Sequence, residues 1–136
     1  MYDLHHFLTA VAIDELNDDK GYTDGQLGKH IAIYENELPD ITNADIVLVG
    51  ANATRGRGDF DNTVNAADCI RRQLYQLHYW HTDIALADIG NIKTGATLKD
   101  SYAAIKTVIA ELLRLKKTVV VLGGPHDITL AQYFAY

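Results

Sequence analysis

The chain has 136 residues, 48% of them apolar and 22% charged, with 12 Lys plus Arg against 18 Asp plus Glu and a formal net charge of -6. That is enough apolar sequence for one domain with a core, and the acidic balance without a basic run argues against nucleic acid or an anionic membrane surface as a partner. A single cysteine, Cys69, excludes an internal disulfide and any cysteine-based zinc cluster. No apolar stretch approaches the roughly 18 residues of a transmembrane helix. The first residues, Met1 to His6, lack a basic flank and apolar core, so the composition reads as cytoplasmic.

Residues 1–44 read as a helical extension. Leu4, Phe7, Leu8 and Val11 recur at helical spacing, which predicts a short amphipathic helix. Asn17 to Gly21 is a turn signal. Asp24 can cap a second helix with Leu27, Ile31 and Tyr34 on one face. Such helices serve as a cap on a sheet, as a substrate lid or as an oligomer contact.

From residue 45 the pattern changes to alternating strands and helices. Asp45 to Gly50 is the first buried strand. The polar loop Ala51 to Asn62 follows, with Arg55, Arg57 and Asp59 as candidates for holding substrate, since a guanidinium can grip a carboxylate at two points. Asn62 to His78 predicts a helix that turns Ala66, Ile70, Leu74 and Leu77 to the sheet. His78 and His81 suggest a metal, but a helix-to-strand loop lies at the amino edge, opposite the expected site. Ile84 to Gly90 is the second strand, with Asp88 at its carboxyl end as a candidate acceptor behind a metal-bound histidine or a cap for loop amides. Thr97 and Asp100 form a capping box, and the helix they open buries Ile105, Val108, Ile109 and Leu112. Arg114, Lys116 and Lys117 complement its carboxyl end.

The third strand, Thr118 to Leu122, is unbroken by charge and reads as buried on both faces. Gly123 and Gly124 permit a sharp turn into Pro125, His126 and Asp127, and Ile128 to Tyr136 begins a helix. Strand, glycine turn, polar residues and helix is how an open α/β sheet builds a site at the carboxyl ends of its strands. Right-handed crossovers make the three strands parallel. A dinucleotide fingerprint, a phosphate loop, a His-Glu-x-x-His pair and a Gly-x-Ser-x-Gly elbow are all missing, which weakens a nucleotide-binding alternative.

The stretch from about Asp45 onward resembles the ureohydrolases, the family of arginase, agmatinase and formimidoylglutamase. The likeness is carried by Ile46 to Gly50, by Cys69-Ile70-Arg71, by Ala87-Asp88-Ile89-Gly90-Asn91-Ile92, and by Val120 to Thr129 with its Gly-Gly-Pro-His-Asp turn. Tyr22 to Gly28 and Leu74 to Leu77 look most like a divergent formimidoylglutamase-like branch. The resemblance implies a three-layer α/β/α fragment, residues 45–136, with strand order 2-1-3, preceded by the short helices of residues 1–44. It also implies hydrolysis of a linear amidine or guanidine by two manganese ions, with His126 as a metal ligand and Asp127 beside it. The family commonly has Asp where Pro125 stands and Ser where Asp127 stands. Its Asp-x-His-x-Asp segment and the Asp-x-Asp segment expected later in the chain supply most of the ligands; the first does not occur in this sequence, and no Asp-x-Asp follows His126. The chain by itself is therefore expected to be inactive and to hold manganese weakly or not at all. A non-catalytic relative serving as a binding or assembly subunit is the alternative, and a homo-oligomer is expected in either case.

Overall fold

The structure is a computed structural model that describes residues 4–13, 16, 21–51, 66–93, 97–124 and 128–136. Its centre is a five-stranded mixed sheet. β1 (Leu8–Thr9) and β2 (Ala32–Ile33) are two-residue strands, while β3 (Ile46–Ala51), β4 (Leu86–Ile92) and β5 (Thr118–Leu122) form its body. The helices that lie within the described residues are α1 (Leu27–His30), α2 (Ala66–Leu74), α3 (Leu98–Arg114) and α4 (Ile128–Ala135), and Leu4–Phe7 is a 3-10 turn.

β3 lies between β4 and β5, parallel to both, so the three long strands stand in the order 2-1-3. The chain passes from β3 through α2 to β4 on one side, then through α3 back across to β5. A right-handed crossover in each direction puts the two helices on opposite faces. The core divides accordingly. Val47, Val49, Ile89 and Ile92 pack with Ile105, Val108, Ile109 and Leu112 of α3 and with Ile128 and Ala131 of α4. Leu48 and Leu122 pack on the other face with Ala67, Tyr75 and Ile31.

α3 forms as its sequence dictates. Thr97 Oγ1 accepts the Asp100 amide at 3.1 Å, and Asp100 Oδ2 accepts the Thr97 amide at 3.3 Å. Its carboxyl end closes when Lys116, at φ 62, turns the chain left-handed. The Lys116 amide then bonds Leu113 O at 2.8 Å and the Lys117 amide bonds Leu112 O at 3.1 Å. Lys117 does more than offset the helix dipole: its Nζ donates to Thr42 O at 2.9 Å and Ala44 O at 2.8 Å.

Three sequence expectations change. The helix over Leu4 to Val11 is a 3-10 turn followed by β1, antiparallel to β4 with Leu8 opposite Ile92. The second helix stops at His30 without a side-chain cap, and Ala32–Ile33 pairs with Ala87–Asp88. Both segments are drawn out because β4 has a free edge whose amides and carbonyls need partners. The buried stripe of α2 is Ala67 and Arg71, continued by Tyr75, while Ile70 and Leu77 are exposed. The helix face is thus rotated by one residue from the apolar pattern, and the reason lies in β4.

Among the described residues β5 ends the sheet, and it alternates rather than burying both faces: Val119 and Val121 pack toward the core while Val120 is 40% exposed. None of the helices among the described residues is long and apolar enough to cross a membrane.

Candidate active site at the carboxyl edge of the sheet

The strand order reverses around β3. In open α/β sheets such a reversal opens a crevice beyond the carboxyl ends of the strands, where ligands bind. The described residues at this point are packed closely. Gly123, at φ 76, leaves room for the start of α2: a Cβ there would lie 2.9 Å from the Ala67 amide nitrogen. A Cβ on Gly124, at φ 84, would lie 2.5 Å from Ala51 O and 2.9 Å from Ile128 Cδ1. The ends of β3 and β5 and the first turns of α2 and α4 therefore converge. Residues 52–65 and 125–127 both attach to this cluster through the chain.

Of the site residues read from the sequence, only Asp88 lies within the described residues; Arg55, Arg57, Asp59, His126 and Asp127 lie outside them. Asp88 is fully buried. Its Oδ2 accepts Arg71 Nε at 2.7 Å and the Tyr75 hydroxyl at 2.5 Å, and its Oδ1 accepts Arg71 Nη2 at 2.8 Å and the Gly90 amide at 3.0 Å. A carboxylate has about four acceptor positions, and these bonds fill them. The amide-capping role thus accounts for one bond, and the larger part of Asp88 is committed to Arg71 and Tyr75.

Arg71 is equally saturated. Besides Asp88 it donates from Nη1 to Asn91 Oδ1 at 2.6 Å and Asp68 Oδ1 at 3.1 Å, and from Nη2 to Gly90 O at 2.9 Å. Its five donors are all used. Burial works to lower the guanidinium pKa, but the hydrogen bonds and charge of Asp88 more than offset this and hold it above the ordinary value. These partners explain why α2 turns Arg71 inward. The sequence signal was an Asp inside an apolar strand and an Arg spaced four residues from both Ala67 and Tyr75.

Tyr75 keeps its proton. Burial first, then the charge and hydrogen bond of Asp88, push its hydroxyl well above the usual tyrosine range. At alkaline pH the folded state thus holds a proton that the unfolded chain has released. The stability from this group is complete below the unfolded tyrosine pKa of about 10 and is lost as the pH rises beyond it. Tyr75→Phe is expected to cost about 1.5–3 kcal/mol at neutral pH through the lost bond to a charged acceptor, and to flatten the alkaline fall in melting temperature. Thermal unfolding of both proteins between about pH 7 and 11 checks this.

His78 and His81 are exposed near the amino edge, where the backbone of His78 bridges to Gln26 and the His81 ring lies 3.6 Å from that of Trp80. Among the described residues no three of His, Cys, Asp and Glu come together to hold a metal ion. With Asp88 already saturated, the described donors do not fit a pair of manganese ions.

The profile of the Arginase family matches residues 44–136. A formimidoylglutamase from Vibrio parahaemolyticus is 31% identical over 126 residues, covering 82% of this chain and 36% of that protein. An arginase superfamily protein from Trypanosoma cruzi superposes with a TM-score of 0.65 at 21% identity, over 83% of this chain and 40% of that one. A Trypanosoma cruzi formiminoglutamase variant crystallised with Mn2+ gives a TM-score of 0.60 at 23% identity, over 83% and 40% of the two chains. At these identities the structural likeness speaks for the fold, and the chain spans a little over a third of the curated relative it matches. The sequence match over the βαβαβ segment, together with the shared fold, makes this chain a member of the arginase family.

Proposed function

We propose that this chain is the amino-terminal part of a cytoplasmic, manganese-dependent hydrolase that cleaves a C–N bond of a linear amidine or guanidine, with formimidoylglutamate, arginine and agmatine as the substrate class. Residues 1–44 form its extension and residues 45–136 the first part of its α/β domain. The observation that carries this reading is the family match over residues 44–136, supported by the 31% identity to a formimidoylglutamase. In this reading His126 is a metal ligand, Asp127 stands beside it, and Arg55, Arg57 and Asp59 hold the substrate. A hard divalent ion prefers an oxygen-rich donor set, which one imidazole does not supply. The isolated chain should therefore bind Mn2+ weakly and turn over none of the three substrates. A longer protein encoding an Asp-x-His-x-Asp run beyond Tyr136 should hydrolyse one of them with Mn2+ and lose the activity to a chelator. Calorimetric titration and product assays on both proteins test this; tight Mn2+ binding or turnover by the 136-residue chain would sink the partial-enzyme reading. Pro125 and Asp127 favour a second reading, a non-catalytic assembly subunit, for which the longer protein stays inactive with every metal.

The same reading includes self-association. β5 is an apolar edge strand, and Leu130, Tyr133, Phe134 and Tyr136 nearby are exposed. An edge without charge or proline is a template for strand pairing. Sedimentation at several concentrations is expected to show oligomers. A clean monomer with slowly exchanging Val119–Leu122 amides would mean that the edge is protected from within.

A further inference from the structure

The buried Arg71–Asp88 pair sits at an irregularity in the sheet. Leu48 stands opposite Asp88 and Gly50 opposite Asn91, so β4 carries one residue more than β3 over this interval. The chain absorbs the extra residue at Gly90, where φ is +83. A β-bulge of this kind disrupts the ladder locally and re-aims the strand beyond it. Here Ile89 and Ile92, three residues apart, both enter the core on the α3 face. Strict alternation would have sent them to opposite faces.

A bulge leaves backbone polar groups in need of partners, and at Gly90 the ion pair provides both. The Gly90 amide donates to Asp88 Oδ1 at 3.0 Å, and its carbonyl accepts Arg71 Nη2 at 2.9 Å. The guanidinium also holds Asn91 Oδ1 at 2.6 Å. That oxygen lies over the neighbouring strand, where a Cβ on Gly50 would come within 1.9 Å of it. Gly50 precedes Ala51, the last residue of β3 before the chain enters residues 52–65. Arg71, Asn91 and Gly50 thus form a continuous path from α2 to the carboxyl end of β3.

Stability does not account for this pair, because well-packed apolar residues often replace a buried ion pair without loss. Apolar side chains cannot offer an acceptor to the Gly90 amide or a donor to its carbonyl. We propose that Arg71 and Asp88 are positioning residues: they hold the Gly90 bulge and so fix where β4 and, through Asn91, β3 deliver the chain to the crevice.

The test separates local geometry from global stability by amide exchange and backbone chemical shifts in the whole chain. In Arg71→Lys, which keeps the charge but loses the fork, the Gly90 and Asn91 shifts should move. Their amides should exchange at least about tenfold faster, the equivalent of one lost hydrogen bond, while Val47 and Val49 keep their rates. The Arg71→Met, Asp88→Leu double variant should show the same local loss at a melting temperature above that of Arg71→Met alone, since it leaves no buried charge unpaired. Unchanged Gly90 shifts and protection in Arg71→Lys would overturn the proposal, as would uniform acceleration of all amides, which reports only global destabilisation. Should neither variant fold, the parent protein decides: a Gly90 amide exchanging at the unprotected rate overturns the proposal, and a strongly protected one upholds it.

Discussion

Arg71→Met alone is expected to destabilise the protein by about 3–5 kcal/mol, because it strands a charged Asp88 in the core without a counter-ion. Asp88 is fully buried, so water cannot take over the missing bonds. Asp68, Asn91 and the Gly90 carbonyl each lose a donor as well. A domain of this size has about 5–15 kcal/mol of stability in total, so such a loss leaves it close to unfolding at physiological temperature. Urea denaturation of Arg71→Met beside the Arg71→Met, Asp88→Leu double variant measures the effect. The single variant should be the less stable of the two, since the double removes the orphaned charge. A single variant within about 1 kcal/mol of the parent would mean that Asp88 finds other partners, against the saturation of its acceptor positions.

Gly90→Ala is the second large effect, about 3 kcal/mol from two sources. A left-handed backbone costs an L-residue about 1–2 kcal/mol, and Gly90 has φ +83. In addition, the new Cβ would lie 2.0 Å from Thr9 O, a backbone atom that no rotamer change can move aside. The expected response is separation of β1 from β4, visible as rapid exchange at Leu8, Thr9 and Ile92 together with the lost stability. Gly21→Ala is the control: φ there is +70, but nothing lies within 4 Å of the added carbon. It should show the backbone cost alone. Equal losses at the two sites would remove the close approach of β1 from the account.

Much of the scaffold was legible in the sequence because it rests on local signals. The third strand begins and ends where its apolar run does. The α3 capping box forms at Thr97, and the four core residues expected from its spacing are buried. The order 2-1-3, implied by family resemblance, holds for the three long strands. The second strand, expected at residues 84–90, runs from Leu86 to Ile92. Its displaced boundary comes from the same place as the error on α2: an isolated glycine in an apolar run signals a bulge, and the strand continues beyond it. The candidate site stays an expectation at the carboxyl edge by the glycine turn, since five of its six named residues lie outside the described part of the structure.

By itself, then, the sequence determined the alternation of strand and helix from residue 45 onward and which face α3 buries, since propensity, capping and periodicity act within a few residues along the chain. Only the tertiary structure decided the rest. It drew two segments expected as helices into short strands, because the open edge of β4 offered hydrogen-bond partners that two isolated turns could not match. It turned Arg71 inward past Ile70, because Asp88 and the Gly90 bulge wait beneath α2 and no apolar side chain could satisfy them. It made β5 an edge strand with Val120 exposed, because burial on the second face requires a neighbour that sequence pattern alone does not place.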